Sequence, residues 1–252
     1  MDTTASRARQ QIAVRPAHSA DDMKICVDLQ QRVWGYSAID TVPDQIFIVA
    51  DKTGGHVLVA YEGDEPIGFA LAFAAIRGGL AYLHSHMVAV VEEFQNRGVG
   101  RLLKLAQRDD AIARGFDLIE WTFDPLQLKN AHFNVARLGA IVRRYIPNLY
   151  GRTSSPLHAG LPTDRLVAEW WVKSRRVESI IKGQLPVISN AAERVAIPAA
   201  IRELCRDNPT AAETIQSDAR EQFSRHFSLG LAAVAFEWKH DQGKYVLESY
   251  ED

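Results

Sequence analysis

The sequence predicts an α/β fold, in which a mixed central sheet is flanked by helices and followed by a small C-terminal α+β extension. Three observations predict it. Apolar runs with the period of a strand alternate with segments that have the period of a helix. The change between the two is abrupt within residues 84–104, where two glycines stand at the change. After residue 172 the chain becomes charged and is interrupted by prolines, which indicates a second region.

The first predicted elements are a strand at residues 11–16 and a helix at 20–34. Pro16 stops the strand, because proline cannot donate a hydrogen bond to a sheet. Asp21 or Asp22 could cap the helix. Its residues at helical spacing are Met23, Val27, Gln30 and Trp34.

A hairpin, a strand and a second helix follow. The hairpin occupies residues 56–73, with a turn-forming cluster at 62–65, and the strand occupies 81–91. The helix at 98–115 ends at Gly115, a plausible C-terminal cap. Its predicted buried stripe is Leu102, Leu105, Ala106 and Ile112.

The predicted first domain, residues 1–175, ends with three strands and a short helix. The strand at 117–125 stops at a proline, and the helix at 131–138 stops at Gly139. Apolar runs at 140–146 and 165–172 complete the set of strands.

The predicted extension, residues 176–252, has its own apolar faces. Pro198 suits the first turn of a helix. Thr210 and Glu213 form a capping-box pattern for a further helix that ends at Gly230. The apolar repeat of that helix is Ile215, Ala219 and Phe223, and a closing hairpin flanks the polar turn KHDQG.

The composition excludes several classes of protein. The formal charge of −2 gives no pull toward nucleic acid or membranes, and no apolar run reaches the length of a membrane span. Cys26 and Cys205 have no CxxC or histidine-rich neighbour, so neither a disulfide scaffold nor a metal site is expected. The opening MDTTASRARQ has no apolar core typical of a secretory signal. We therefore expect a cytoplasmic protein.

The glycine turn has the features of an anion site. Gln95, Gly98 and Gly100 follow a strand and open a helix, where free N–H groups and the helix dipole attract negative charge. Arg97 and Arg101 add positive charge. A tight turn without a ligand is the alternative. The pattern is neither a P-loop nor a Rossmann fingerprint, because the GK[ST] ending and the third glycine are absent.

The run VAVVEEFQNRGVG resembles the acetyl-CoA motif of the GCN5-related N-acetyltransferases (GNAT), Gln/Arg-x-x-Gly-x-Gly/Ala. The predicted order of elements follows that family through about residue 175. The longer bacterial predicted acetyltransferases, which carry a C-terminal addition, are a nearer resemblance. The resemblance implies an acetyl-CoA or other acyl-CoA co-substrate and no metal. The turn residues implied to hold its pyrophosphate are Gln95, Asn96, Arg97, Gly98, Val99, Gly100 and Arg101.

The resemblance also assigns the pantetheine arm. The end of the fourth strand, here Val88, Ala89 and Val90, is implied to bind pantetheine as an added strand would. Splayed strands at 81–91 and 117–124 are implied to form the slot for the thioester. Asn130 could contact pantetheine or cap its helix.

Two histidines are the candidate bases. An amine attacks a thioester only when it is unprotonated, so a group must remove its proton. His84 and His86 share one face of a strand, because side chains alternate. His84 falls where several members of the family place a general base, and the serotonin N-acetyltransferases carry a similar histidine pair. A structural, hydrogen-bonded pair is the alternative.

The general acid is not where the family often has it. The helix before Gly139 reads FNVARLG, so no tyrosine occupies the usual position. Tyr145, Tyr150 or water could protonate the departing thiolate instead, and Tyr150 is our candidate. Otherwise the protein binds an acyl-CoA without catalysing transfer.

The resemblance implies transfer of an acetyl group, or alternatively succinyl, to a primary amine of a small molecule, such as an amino acid. A homodimer through the extension is a further possibility. Four charged residues are secondary candidates for substrate binding, with solvated or capping roles as alternatives: Glu120, Asp124, Arg143 and Arg144.

Overall fold

The computed structural model of the chain describes residues 11–37, 39–151, 160–189 and 191–251. The chain divides into two compact units, Met1–Phe116 and Asp117–Asp252. This division lies well before the boundary at residue 175 that the sequence suggests. The strands after residue 175 continue the sheet formed by the strands between residues 117 and 175, which explains why both groups fall in one unit.

The first unit contains a four-stranded antiparallel sheet in the order β1-β2-β3-β4. Glu62 and Glu65 are paired at the hairpin turn between β2 and β3, as the sequence predicts. The strands are β1 (Ile12–Pro16), β2 (His56–Glu62), β3 (Glu65–Arg77) and β4 (Leu80–Val90). The helices are α1 (Ala20–Trp34), α2 (Asp44–Lys52) and α3 (Val99–Ala113).

Helix α1 has the predicted bounds, but its capping residue is not Asp21 or Asp22. Ser19 is the N-cap, and its hydroxyl accepts a hydrogen bond from the N–H of Asp22. The carboxylate of Asp22 accepts from the N–H of Ser19, which completes a capping box. Asp22 is thus part of the cap without being the capping position.

The buried face of α3 differs from the predicted stripe. Leu102 is exposed, and Leu105, Ala106 and Ile112 are only half-buried. The residues that α3 buries are Val99, Leu103, Lys104, Gln107 and Ala111. The predicted stripe is wrong because apolar character alone assigned it, whereas two polar side chains occupy the buried face.

The second unit contains a six-stranded sheet in the order β5-β7-β6-β9-β10-β8, and its paired neighbours are antiparallel. The strands are β5 (Leu118–Phe123), β6 (Ile141–Ile146), β7 (Arg165–Trp171), β8 (Glu193–Pro198), β9 (Leu231–Lys239) and β10 (Gln242–Ser249). The helices are α4 (Leu128–Ala131), α5 (Arg175–Ile181), α6 (Ile201–Asp207) and α7 (Pro209–Ser228), and a π-helical turn at His132–Arg137 follows α4.

Strand β9 joins the predicted extension to the preceding strands. Val142 of β6 pairs with Ala233 of β9, and Ile141, Ala232 and Val234 form a buried cluster beside this pair. Two predictions about the extension are wrong. Pro198 ends the edge strand β8, where a missing N–H is tolerated. The N-cap of α7 is Asn208, whose side chain accepts from Ala211, so Thr210 lies inside the helix.

The described residues contain no group of three or more His, Cys, Asp or Glu side chains that could hold a metal ion. Within the same ranges, none of the helices combines the length and the apolar character needed to cross a membrane.

Candidate active site

The turn between β4 and α3 has the backbone shape that the glycine motif predicts. Asn96 and Gly98 have positive φ angles of 59° and 85°, and Gly98 is the N-cap of α3. The first helical hydrogen bond runs from the N–H of Leu102 to the carbonyl of Gly98 over 3.0 Å. The amides of Val99, Gly100 and Arg101 therefore lie ahead of the helical ladder, at the positive end of a 15-residue helix.

The space at Gly98 suits a phosphate. A Cβ built on Gly98 would meet no atom within 4 Å, so this side of the turn is open. A side chain at this position would occupy the space through which a ligand reaches the backbone. The residues present thus fit the pyrophosphate of an acyl-CoA, because glycine at an open helix N-terminus allows an anion to approach the amides.

Two side chains of the turn are held by the protein itself. The guanidinium of Arg97 forms an ion pair with Glu62 on β2 and lies 4.8 Å above the ring of Phe94. Glu62 therefore offsets part of the positive charge of Arg97, and the role of Arg97 beside a phosphate stays a prediction. The amide of Gln95 donates to the carbonyl of Val90 over 3.0 Å.

The end of β4 forms regular pairs with β3. Val88, Ala89 and Val90 face Ala70, Phe69 and Gly68 in the antiparallel register. Ala89 is buried, whereas Val88 and Val90 are half-buried. Their assignment to pantetheine stays a prediction.

His84 and His86 lie close together on β4. Their ring centroids are 6.1 Å apart, and the ring of Phe73 packs edge-on against His86 at 5.6 Å. The register reveals what alternation does not predict: Ser85 faces Ala72 and Met87 faces Leu71, so His86 is the extra residue of a β-bulge. Bulges re-aim side chains and are frequent beside active sites.

The two histidines also differ in exposure. His84 is half-buried, and His86 is exposed to solvent. Partial desolvation nevertheless lowers the pKa of His86 from its ordinary value of 6.5. A lowered pKa keeps the imidazole neutral near pH 7, and the neutral form can accept a proton.

Beneath these histidines lies a polar chain that sequence reasoning missed. Lys104 donates to Ser85, Ser85 to Gln107, and Gln107 contacts His56, which contacts Asp110. The first four of these residues are buried. The sequence carried one signal: a lysine and a glutamine three residues apart interrupt the apolar pattern of α3.

The second unit holds Tyr150 and Asn130. The hydroxyl of Tyr150 lies 3.4 Å from that of Thr122, and the guanidinium of Arg165 lies 5.4 Å from the centre of its ring. Tyr150 is 52% exposed, and its role as a proton donor stays a prediction. Asn130 is an exposed residue inside α4, and the N-cap of α4 is Gln127. The capping alternative for Asn130 is therefore wrong.

Tyr145, the other tyrosine considered as a proton donor, has a structural partner. Its hydroxyl donates to Asp164, a fully buried carboxylate that Arg220 also contacts. Burial and this hydrogen bond raise the pKa of Tyr145 far above its ordinary value. The hydroxyl proton of Tyr145 is thus held by Asp164 and is not directed at a departing thiolate.

Of the four charged residues considered for substrate binding, Glu120, Arg143 and Arg144 form ion pairs. The fourth, Asp124, forms a turn. Arg144 binds the buried Glu120 of β5, and both Arg143 and Arg144 bind the buried Glu169 of β7. A bulge at Arg143 lets neighbouring residues reach the same carboxylate. The side chains of Arg143 and Arg144 are 39% and 37% exposed, so both arginines lie at a solvated face while they pair with buried carboxylates. Asp124 accepts from the N–H of Leu126, and desolvation raises its pKa.

The sequence and the fold were compared with protein families and with solved structures. Residues 53–136 match the family described as "Acetyltransferase (GNAT) domain". No match was found among curated protein sequences. The Salmonella typhimurium acetyltransferase yncA, solved with its cofactor acetyl-CoA, is 18% identical with a TM-score of 0.53 over 65% of this chain and 95% of that chain.

Two further solved structures are similar. The ribosomal-protein-S18-alanine N-acetyltransferase of Escherichia coli is 13% identical, with a TM-score of 0.53 over 65% of this chain and 96% of that one. A GNAT-family protein from Desulfovibrio desulfuricans is 17% identical, with a TM-score of 0.51 over 64% and 99%. At these identities the likeness shows the fold. The family match adds that residues 53–136, one third of the chain, are similar to a GNAT acetyltransferase domain.

Proposed function

We propose that the protein transfers an acetyl group from acetyl-CoA to a primary amine of a small molecule, such as an amino acid, in the cytoplasm. The observation that carries the proposal is the junction of β4 and α3. There, an open helix N-terminus at Gly98 follows directly on the strand that carries His84 and His86. A binding site for the co-substrate and a candidate base thus lie on one continuous segment.

The co-substrate would be held mainly by backbone groups. The amides of residues 96–101 would bind the pyrophosphate, and the backbone of residues 88–90 would bind pantetheine. Asn130 in the second unit would add a polar contact. A bound acyl-CoA supplies an activated thioester carbonyl.

The histidines would serve the acceptor. His84 removes a proton from the ammonium of the acceptor, directly or through water, and His86 orients His84 or relays the proton. The amine nitrogen then bonds to the carbonyl carbon in a ternary complex, the C–S bond breaks, and sulfur keeps the electron pair. The nitrogen, which carries a positive charge after the attack, loses its second proton to solvent and becomes the amide nitrogen. Tyr150 or water would protonate the thiolate.

A second candidate function is binding of an acyl-CoA without catalysis. The absence of a tyrosine at Phe133, Asn134 and Val135, where the resemblance places the general acid, favours it. The position lies in the π-helical turn after α4. An alternative acyl group is succinyl.

Release of CoA from acetyl-CoA and from succinyl-CoA, measured with pooled amines and amino acids, tests the proposal. Amine-dependent release supports transfer and identifies the acyl group. Tight CoA binding by calorimetry without release from any pool supports the binding protein. Absence of both would contradict the assignment of the turn.

A further inference from the structure

We propose that Ser85, Lys104 and Gln107 are positioning residues. They hold the bulge at His86 and fix it to α3, the helix that begins at the phosphate turn (residues 95–101). This inference rests on the proposed function for its catalytic meaning. The hydrogen bonds of Ser85 with Lys104 and Gln107 are here called the polar contact. Its effect on the positions of the His84 and His86 imidazoles can be measured without a substrate.

The hydrogen bonds reach the strand at the bulge. Ser85 lies between His84 and His86 and is 4% exposed. Its hydroxyl accepts from Lys104 Nζ over 2.8 Å and donates to Gln107 Oε1 over 3.0 Å. Both partners belong to α3, whose first turn begins at Gly98.

The polar chain continues from Gln107 to His56 and Asp110. Gln107 Nε2 donates to His56 Nε2 over 2.9 Å, which requires the His56 proton on Nδ1. That proton points to Asp110 Oδ2 at 2.6 Å, and Arg114 also donates to this oxygen. With the amide oxygen of Gln107 toward Ser85, the hydroxyl of Ser85 accepts from Lys104 and donates to Gln107.

The burial of these groups needs an explanation. Lys104 is 3% exposed, and burial lowers its pKa well below the ordinary value. Polar groups in this interface are costly unless each is hydrogen-bonded, and apolar side chains would fill the space at lower cost. The polar contact instead favours one register of β4 against β3.

Strand β4 has an alternative register that the polar contact excludes. A slip by one residue exchanges the two faces of a strand, and a bulge can move along a strand in the same way. An imidazole at the place of Ser85 would leave Lys104 and Gln107 without their present partner. The polar contact therefore stabilises the arrangement in which both imidazoles lie on the face opposite α3.

The test compares two buried glutamines. Gln107→Leu removes the contact to Ser85, whereas Gln30→Leu removes hydrogen bonds to Val42 elsewhere in the same unit. Both glutamines have 0% exposure. Ser85→Ala and Ser85→Thr form a second pair, in which only threonine keeps a hydroxyl. Lys104→Met replaces either variant that fails to fold.

The first readout uses the ligand-free protein. Imidazole ¹H–¹⁵N correlation spectra, assigned with His84→Gln and His86→Gln, should show shifted His84 and His86 signals in Gln107→Leu and Ser85→Ala. Gln30→Leu and Ser85→Thr should keep the wild-type signals. Wild-type signals in both Gln107→Leu and Ser85→Ala would overturn the proposal.

The second readout is kinetic. In Gln107→Leu and Ser85→Ala, kcat should fall about tenfold because the base is misplaced. KM for acetyl-CoA should stay within about twofold, since the turn is unchanged. An equal loss in Gln30→Leu would show that stability is responsible and would overturn the proposal. If the wild type releases no CoA, the proposed function fails, and the imidazole spectra alone decide the positioning role.

Discussion

The amide of Gln95 donates to the carbonyl of Val90 over 3.0 Å and so ties the phosphate turn back to the strand from which it emerges. Between the two residues lie a 3-10 turn and the buried Phe94, whose ring also supports the guanidinium of Arg97. The side chains of the turn therefore stabilise its shape, and its backbone amides remain the groups that can receive a ligand.

The role of the turn can be tested with two glycines of one helix. Gly98 and Gly115 flank α3, have φ angles of 85° and 82°, and have open space at the Cβ position. Valine at either position should cost roughly 1–2 kcal/mol of stability, because a left-handed conformation is strained. Only Gly98→Val should also lower the affinity for CoA, by about tenfold or more, because its side chain fills the approach to the amides.

Isothermal titration calorimetry with CoA measures both variants. Equal affinities for CoA in Gly98→Val and the wild type would remove the basis for placing the co-substrate at this turn.

The ion pairs of β5, β6 and β7 predict unequal effects of two neighbouring arginines. Arg144 faces both Glu120 and Glu169, whereas Arg143 faces Glu169 alone. Arg144→Met should destabilise the fold by about 3 kcal/mol, because the buried Glu120 loses a cation that faces it. Arg143→Met should cost about 1 kcal/mol or less, since Arg144 still faces Glu169.

Urea unfolding provides the comparison, and Glu120→Gln provides the control. Adding Glu120→Gln to Arg144→Met should restore part of the lost stability, because a neutral amide costs less to bury. If the double variant is no more stable than Arg144→Met, the ion pair is not the origin of the effect.

Lys104 predicts a pH dependence of stability in the alkaline range. Its pKa is lowered in the folded state, whereas an unfolded lysine titrates near about 10.4. Between these two values the unfolded state binds more protons, so the free energy of unfolding should rise with pH. Lys104→Met should lack this rise.

The difference between the two proteins isolates the lysine. Burial raises the pKa of Cys26 to about 12, which lowers stability as pH rises above the pKa of an unfolded thiol. This opposing contribution is the same in wild type and Lys104→Met and cancels in the difference. Parallel curves from pH 7 to about 10 would contradict a lowered pKa of Lys104.

Local signals in the sequence predict the fold better than the buried faces. The turn at Gly98 and the β2–β3 hairpin follow from residues adjacent in the chain, so their prediction is confirmed. The buried face of α3 depends on Ser85 and His56, which lie on two strands, so the spacing of leucines within the helix mispredicts it. Pairings between distant elements carry no local signature.

The same distinction applies to the candidate site. Strand alternation predicts that His84 and His86 lie together, and their rings are 6.1 Å apart. The bulge at His86 depends on the register with β3, and the ion pair of Arg97 depends on Glu62 of β2. Both arise from tertiary contacts, which spacing along one segment does not encode.

Truncation tests whether the extension can be separated from the preceding strands. Removing the residues after Lys173 deletes β9, the neighbour of β6, and uncovers Ile141. We expect aggregation, because an unpaired strand edge and apolar surface become exposed. Light scattering coupled to size-exclusion chromatography measures the result. A soluble truncation with unchanged mass and activity would identify the extension as an independent module.

The last prediction concerns the pH dependence of transfer. A histidine base works in its neutral form, so activity should rise with pH through the histidine range. Desolvation lowers the pKa of His86, which places its contribution to the acidic limb below its ordinary value of 6.5. His84→Gln should reduce kcat about 100-fold, as expected for one general base, and should weaken that limb. Binding of CoA should persist, because the turn is unchanged.

The pair of histidines distinguishes a base from a relay. His86→Gln should cost less than His84→Gln if His86 only orients its neighbour or passes the proton through water. The double variant should then lose less than the product of the two single losses, because residues in one network are not additive. The measurement is kcat and kcat/KM from about pH 5 to 9 for all four proteins. Wild-type rates and profiles in both single variants would make the histidines structural, and solvent or a carboxylate would then have to deprotonate the amine.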